Sequence, residues 1–427
     1  MTVQSAINSG EAASTAADND IVLPEVGVLL YDNPNECTSG HASVNGSPAT
    51  HVRQHSDLAN NVIWITNGAW SQFMVQGHRN VHNLRGSDFF RTNVTQIGAD
   101  LGLDMSTTNS AQVAPTISLI AARTFKLLAE CYEWKPNELA NAEKLHQNIK
   151  SRFPRDVNLN NPALERGLQA AYQTDSATSK ADFIADSVFL TLRMNRLAHA
   201  KRVMSCPVPE DAWEYIPGVA LPSGQRERLA FCLSHEHPVL AEVLVDMSRA
   251  DSQYAALAAF GQKASSRMVL REWVSHPELL WLSRFAPLEI KSVFRSSRYV
   301  ALPERMQLPV ALTSDPLLEL SYSAGLLAEN HWMSLATDEY NKITKRKALS
   351  SRAVWLRAAD RALCFALAKK AVDKGFVVTG YGTGAVRVRI QRSELFQALE
   401  FAIENQLVAP NFGRIIHAGD VDAAAAA

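Results

Sequence analysis

Residues that could hold a metal ion occur in close succession at His235-Glu236-His237. A metalloprotease helix needs two histidines four positions apart, with a glutamate beside the first of them. Here the histidines are two positions apart and Pro238 follows directly. The spacing therefore predicts a polar turn at the entry to a helix, and we expect no metal site and no cofactor.

A glycine-rich segment, Gly380-Tyr381-Gly382-Thr383-Gly384, has the composition of a phosphate-binding loop. Such a loop lies between a strand and a helix, so that the phosphate meets the helix N-terminus. Here residues 385–390 alternate between apolar side chains and arginines, which is typical of a strand. The segment therefore predicts the turn of a β-hairpin, where glycine supplies positive φ.

Other catalytic patterns are missing from the sequence. The chain has no nucleophile elbow, no P-loop and no kinase motif set. A disulfide framework or a zinc site needs cysteines in close pairs. The cysteines are far apart, which favours buried thiols in a reducing compartment; they are Cys37, Cys131, Cys206, Cys232 and Cys364. The sequence favours a protein that is not an enzyme, and an enzyme with an unrecognised site stays an alternative.

Positive charge is concentrated towards the C-terminus. Residues 341–392 contain thirteen Lys and Arg but only two Asp, a net charge of +11 in a chain whose formal net charge is −1. A block of positively charged residues in an otherwise acidic chain indicates a polyanionic partner. A solvated basic face or a site for a partner protein is the alternative.

Nucleic acid is the polyanion that this segment favours, because phosphate neutralisation needs little beyond clustered Lys and Arg. Arg357 and Arg361 lie about 40° apart on a helix, and Arg387 and Arg389 share one face of a strand. The predicted nucleic-acid-binding residues are Lys345, Arg346, Lys347, Arg352, Arg357, Arg361, Arg387, Arg389 and Arg392. Trp355 and Tyr381 could stack on bases, although for Trp355 the core is the favoured position.

The sequence predicts that the elements that position these residues are mostly helical. Apolar spacing, prolines and caps predict a mainly α fold of multi-helix domains with a small C-terminal helix–hairpin–helix element. Predicted helices cover residues 117–134, 136–153, 179–204, 238–273, 277–294, 317–340, 350–374 and 393–407. The predicted strands cover residues 62–65, 376–379 and 385–390.

Composition and proline-rich breaks divide the chain into four segments. They are a flexible N-terminal arm at 1–60, helical domains at 61–205 and 206–316, and a basic helix–hairpin–helix domain at 317–427. The arm is polar apart from a short apolar segment, which we predict to dock on a neighbouring copy. Its predicted assembly residues are Ile21, Val22, Leu23, Val28, Leu29 and Leu30. The competing hypothesis is that this segment folds back onto its own first domain.

These patterns favour a self-assembling structural protein of the coat or nucleoprotein kind, a capsid or virion protein that forms homo-oligomers and contacts DNA or RNA. The alternative is a replication, partition or regulatory DNA-binding protein of a plasmid or phage. No apolar stretch approaches the ~20 residues that span a bilayer, and the N-terminus lacks the basic start and apolar run of a signal peptide. We therefore expect a cytoplasmic or virion protein without a membrane partner.

Overall fold

The computed structural model describes residues 25–59, 61–68, 84–85, 109–132, 161–172, 176–177, 186–234, 236–246, 249, 269–319, 322–337, 339–341 and 346–408. These residues form a mixed α/β fold, so the prediction of a mainly α fold is wrong. The cause is that a fully buried strand and a buried helix segment are both apolar runs, which periodicity alone does not separate.

Strands occur along the whole described chain. They are β1 (Glu25–Tyr31), β2 (Gly40–Val44), β3 (Thr50–Val52), β4 (Val62–Thr66), β5 (Leu84–Arg85), β6 (Ser176–Ala177), β7 (Ser187–Met194), β8 (Val208–Pro209), β9 (Trp213–Ile216), β10 (Val239–Asp246), β11 (Val269–Ser275), β12 (Leu288–Ser296), β13 (Tyr299–Val300), β14 (Glu339–Asn341), β15 (Arg346–Ala348), β16 (Val377–Gly382), β17 (Ala385–Gln391) and β18 (Leu407–Val408).

Helices pack between and against the sheets. They are α1 (Ser110–Tyr132), α2 (Pro162–Ala171), α3 (Arg196–Ser205), α4 (Gln225–Leu233), α5 (His276–Leu282), α6 (Val310–Ser314), α7 (Pro316–Glu319), α8 (Tyr322–Leu335), α9 (Ser351–Asp373) and α10 (Leu395–Glu404). Among these described helices, none combines the length and the apolarity that crossing a bilayer requires.

The first sheet is built by the N-terminal part of the chain. Its described strands have the order β3-β2-β1-β4-β5, in which β1 pairs antiparallel with β2 and parallel with β4. The long helix α1 packs on β1 and β2. A strand that is covered on both faces has a continuous apolar sequence, and six of the seven residues of β1 are buried.

The predicted flexible arm is therefore wrong for residues 25–59, which supply the first three strands. The described residues that we predicted to mediate assembly are fully buried within the chain itself; they are Val28, Leu29 and Leu30. The competing hypothesis, that the segment folds onto its own first domain, fits these strands. The remaining assembly residues lie outside the described residues; they are Ile21, Val22 and Leu23.

A network of polar side chains lies at the carboxyl end of β1. Asp32 accepts hydrogen bonds from Ser39 Oγ at 2.9 Å and from Ser110 Oγ at 2.5 Å. His41 Nδ1 lies 2.6 Å from the same Ser110 hydroxyl. Burial alone would raise the pKa of Asp32, but the hydrogen bonds from Ser110 and Ser39 outweigh it and lower that pKa. Because Ser110 begins α1, the network ties the helix to the sheet.

We expect Asp32→Asn to lower the thermal midpoint near neutral pH, and the difference from the parent to shrink as the pH falls. A carboxylate with a lowered folded-state pKa contributes stability above its unfolded pKa of about 3.9 and loses it as the pH drops through the folded value. Thermal melts from about pH 7 to about pH 3 measure this convergence. Glu25→Gln, on the exposed first residue of β1, is the control and should show none. A constant difference for Asp32→Asn across that range contradicts the prediction.

The second sheet replaces two predicted helices. Its described strands run antiparallel in the order β11-β10-β12-β9. The ranges 238–273 and 277–294, predicted as helices, contain β10, β11 and most of β12, and the short helix α5 lies between β11 and β12. Residues of β10 alternate between buried and half-buried over its second half, which is the period of a strand.

The third sheet contains the predicted hairpin and joins it to the middle of the chain. Its described strands have the order β18-β7-β17-β16-β6, and neighbouring strands are antiparallel. The range 179–204 was predicted as one helix, but it holds β7 followed by α3. The side chain of Asn195 accepts from Ala198 N and caps α3. The helix, hairpin and second helix of the C-terminal element are present as α9, β16–β17 and α10.

Helix α9 connects two apolar cores. Val354, Trp355 and Leu356 near its start belong to the core that α1 and α8 share. Cys364 and Phe365, further along, belong to the core beneath the second and third sheets. The helix begins where the Ser350 side chain accepts from Ala353 N, and Gly375 follows its last turn with φ of 92°, the left-handed geometry of a helix C-cap.

Candidate nucleic-acid interface

Two of the predicted phosphate-binding arginines are buried. The side chain of Arg361 is 1% exposed, and its guanidinium pairs with Glu278, which is 2% exposed, at 2.7 Å. Glu278 also accepts from Ser275 Oγ at 3.2 Å. A guanidinium in this position cannot reach a phosphate while the protein is folded. The assignment of Arg361 to nucleic-acid binding is therefore corrected to a buried ion pair between α9 and α5.

Arg357 is buried for a different reason. It is 2% exposed, its Nε donates to the Ala336 carbonyl at 3.2 Å, and its guanidinium carbon lies 5.1 Å from the centre of the Trp332 ring. This is a cation–π contact inside the protein. Arg357 is thus also corrected from a nucleic-acid-binding residue to a residue that packs α9 against α8.

The other basic residues around α9 have local partners or no described side chain. Lys369 pairs with Asp373, Lys374 with Glu404, and Lys370 donates to Asn405. Half-buried Arg352 donates from Nη1 to the sulfur of Met306 at 3.2 Å. Arg346 and Lys347 lie on β15 without described side chains, and Lys345 lies outside the described residues.

Strand β17 presents the arginines that remain at the surface. Val386, Val388 and Ile390 are buried, whereas Arg387 is exposed and Arg389 is half-buried on the opposite face. Arg392 is exposed in the short 3₁₀ helix that follows. The alternation predicted from the sequence is therefore present, and the third sheet has one face towards the core and one towards solvent.

Neighbouring strands complete this outer face. Arg389 pairs with Val377 of β16 on one side and with Phe189 of β7 on the other, and Arg387 pairs with Thr191. Side chains of directly paired residues point to the same face of a sheet. Val377 is 45% exposed and Phe189 is 46% exposed. We call the surface formed by Phe189, Thr191, Val377, Arg387 and Arg389 the outer face.

The charge of this sheet is of one sign. Its five described strands contain Arg193, Arg387 and Arg389 and not one Asp or Glu. The four described strands of the second sheet contain five acidic and three basic residues. The positive character therefore belongs to the third sheet and is not shared by the second.

The turn of the hairpin lies at one end of the outer face. Gly382 pairs with Ala385, so Thr383 and Gly384 form a two-residue turn, and both have positive φ, 51° and 67°. This is the geometry of a type I′ turn. A β-branched residue rarely adopts positive φ, so the turn stays in this conformation because its surroundings hold it there.

Asp360 of α9 is the group that holds the turn. Its carboxylate is fully buried and accepts from Thr383 N at 2.7 Å, from Gly384 N at 2.9 Å and from His199 Nε2 at 2.7 Å. Burial alone would raise the pKa of Asp360, but the hydrogen bond and charge of His199 and the two turn amides outweigh it and lower that pKa. A Cβ added to Gly384 would lie 2.9 Å from the His199 ring, so the turn and the histidine are in direct contact.

His199, Asp360 and Cys364 have ligand atoms within 4.8 Å of one another, a spacing that could hold a metal ion among the described residues. Burial, followed by the charge of Asp360, raises the pKa of the Cys364 thiol well above its usual value, and its Sγ lies 3.5 Å from Asp360 Oδ1. Both carboxylate oxygens of Asp360 accept hydrogen bonds, Oδ1 from Gly384 N and His199 Nε2 and Oδ2 from Thr383 N, so the group supports the turn.

Arg193 connects the turn to the outer face. It pairs across the sheet with Ala385, and its guanidinium donates to the Thr383 carbonyl at 2.9 Å and lies 3.4 Å from Glu329. Arg196 binds the same Glu329 at 2.6 Å. Two arginines thus share one carboxylate here.

The remaining predicted sites do not converge on this surface. Nδ1 of His237 lies 2.7 Å from the Ser297 carbonyl, and His235 lies outside the described residues. Trp355 and Tyr381, considered for base stacking, are each 1% exposed. Phe189, Asp360 and His199 were missed; for Phe189, the alternation of Phe189, Thr191 and Arg193 with Leu190 and Leu192 was an available signal.

Comparisons with known proteins found weak structural similarity and no sequence match. No family model matches the sequence, and no curated protein matches it. Among solved structures, the chain resembles Phi29 DNA polymerase complexed with primer-template DNA and incoming nucleotides, with a TM-score of 0.40 and 9% identity over 86% of this chain and 80% of that one. It also resembles Phi29 DNA polymerase complexed with single-stranded DNA, with a TM-score of 0.40 and 11% identity over 69% of this chain and 58% of that one. A likeness of this size does not establish a common fold, and no functional statement follows from it.

The prediction of an α-helical capsid or virion protein is wrong. It depended on large helical domains and on an exposed docking arm, whereas the fold is mixed α/β and residues 25–59 lie in the first sheet. Self-association of the chain stays a prediction.

Proposed function

We propose that the protein binds nucleic acid and that the outer face of the third sheet contacts the phosphates. One observation carries the proposal: the described strands of this sheet hold three arginines and no acidic residue, and Arg387 and Arg389 lie on the solvent-facing side. Arginine suits phosphate because its planar guanidinium can donate two parallel hydrogen bonds to it.

This proposal narrows the original prediction. Arg357 and Arg361 leave the set of binding residues because they are buried, and Arg387, Arg389 and Arg392 remain as its surface members. Within the proposal we favour a role in DNA replication, partition or regulation, since the arguments for self-assembly into a coat depended on the arm and the helical fold.

The test is a paired substitution on the outer face. Arg387→Ala with Arg389→Ala should weaken binding to all sequences similarly, because phosphate contacts carry no base information. The slope of log affinity against log salt should flatten by about 0.7 per lost contact on a single strand or about 0.9 on a duplex. Fluorescence anisotropy with labelled oligonucleotides over a salt series measures both quantities.

A second pair of substitutions controls for net charge. Arg226→Ala with Arg305→Ala removes the same charge from two exposed positions outside the third sheet, and should leave the salt slope near that of the parent. Equal slopes for the parent and for the Arg387/Arg389 variant contradict the proposal. Equal weakening by the two variants also contradicts it, because binding would then follow net charge and not this surface.

A further inference from the structure

We infer that the ligand of the outer face is a single-stranded polynucleotide and that the Phe189 ring stacks on one of its bases. This inference rests on the proposed function and adds to it the class of nucleic acid and a residue that contacts bases. It starts from the shape of the sheet and from one exposed aromatic side chain.

The width of the sheet argues against a duplex. The two-residue strands β6 and β18 pair only near the hairpin turn, so three strands, β7, β17 and β16, form the face at Phe189 and Arg389. Strands lie about 4.8 Å apart, so these three span about 10 Å between the outer strand axes, and the side chains add to that width. The major groove of B-DNA is about 12 Å wide and admits a helix or a two-stranded ribbon. The broad face of the third sheet therefore cannot enter the groove, and a duplex would offer it only backbone. The unpaired bases of a single strand can lie flat against such a face.

Phe189 is the group that would meet those bases. It is 46% exposed although its neighbour Leu190 is 1% exposed on the opposite face. It stands directly across from Arg389, so that an aromatic ring lies beside a cation that can bind phosphate. Aromatic platforms beside a positively charged groove are how proteins bind single strands without sequence preference. An interface that contacted phosphates alone would not require an exposed aromatic ring at Phe189.

The same charges disfavour a second copy of the chain as the occupant. In a twofold dimer through this face, the surface would meet itself. Arg387 and Arg389 would then face the same arginines of the second copy, and the described strands of this sheet contain no Asp or Glu. A single-stranded polynucleotide complements both features, because its phosphates are negative and its bases have apolar faces.

The experiment compares Phe189→Ala with Phe189→Trp on three labelled probes: a dT oligonucleotide, a U oligonucleotide and a duplex of equal length. Phe189→Ala should weaken binding of the single strands about 5- to 150-fold, which corresponds to about 1–3 kcal/mol of lost stacking. Its salt slope should stay that of the parent, since no charge is removed. Phe189→Trp keeps an aromatic surface and should retain affinity. Phe396→Ala, at a phenylalanine of α10 that is 49% exposed and lies outside the outer face, is the matched control and should have a small effect.

The outcomes separate this inference from the proposed function. If Phe189→Ala binds single strands as the parent does while the Arg387/Arg389 variant is weakened, stacking is wrong and the phosphate interface stands. If the parent binds duplex more tightly than either single strand, or if Phe189→Ala weakens duplex as much, the single-strand assignment is wrong. If the parent binds none of the probes, the proposed function fails. Light scattering completes the test: a change of oligomeric state in Phe189→Ala would mark the face as a protein interface and overturn the inference.

Discussion

Arg361→Ala is expected to destabilise the protein by about 3–5 kcal/mol, because it leaves the carboxylate of Glu278 buried without its guanidinium. The two side chains are 1% and 2% exposed and 2.7 Å apart. The loss should appear in urea denaturation as a lower midpoint with an unchanged slope. A variant that remains folded should bind nucleic acid as the parent does, since this arginine does not reach the surface.

Two controls separate this ion pair from a surface charge. Replacing both partners with apolar residues, Arg361→Met with Glu278→Leu, should recover most of the lost stability, since no unpaired buried charge remains. Arg387→Ala, at an exposed position, should change stability by less than about 0.5 kcal/mol. If Arg361→Ala keeps its stability and loses affinity for nucleic acid, the buried assignment is wrong and the original prediction is right.

The case of Arg361 shows why helical spacing was insufficient. The sequence places Arg357 and Arg361 on one side of α9, and this geometry is correct for any helix. Which side faces solvent depends on the tertiary packing, and α9 is buried on almost all sides from Ser351 to Arg361 because it lies between two cores. A helix that is buried on all sides has no polar stripe that would mark its solvent-facing side in the sequence. For this reason Arg357 and Arg361 were predicted to lie at the surface although both are buried.

The C-terminal helix and hairpin could be predicted because their signals are local. Ser350 caps α9, and Gly375 ends it. The glycines at 380–384 provide the turn, and the alternation in β17 sets its two faces. Each of these features depends on residues within a few positions of one another, so the sequence alone contains them.

The strands that complete the sheets could not be predicted in the same way. β7 pairs with β17, almost two hundred residues later in the chain, and β10 pairs with β11 and β12 across intervening segments. Propensity and periodicity describe local preference, and tertiary pairing overrides them. The outer face was missed for this reason, because Phe189 and Arg389 become neighbours only when β7 joins the hairpin.

Asp360→Asn is expected to cost at least about 3 kcal/mol and to release the hairpin turn. The carboxylate accepts from Thr383 N, Gly384 N and His199, whereas an amide has one oxygen to accept with and presents an NH₂ group to the remaining donors. A buried donor that faces another donor leaves both unsatisfied. Hydrogen exchange should therefore speed up at the amides of Thr383 and Gly384 in particular, beyond any general rise across the sheet.

Thr383→Gly is the matched control for the turn. It keeps the backbone amide that Asp360 binds and removes the side chain from a position with φ of 51°. Relief of about 1 kcal/mol of left-handed strain should offset the entropy that glycine adds to the unfolded chain, so stability should stay near that of the parent. If Asp360→Asn leaves the exchange of Thr383 and Gly384 unchanged, the carboxylate does not hold the turn. If instead both variants destabilise equally, the threonine side chain, and not the carboxylate, fixes the end of the outer face where Arg193 meets the hairpin.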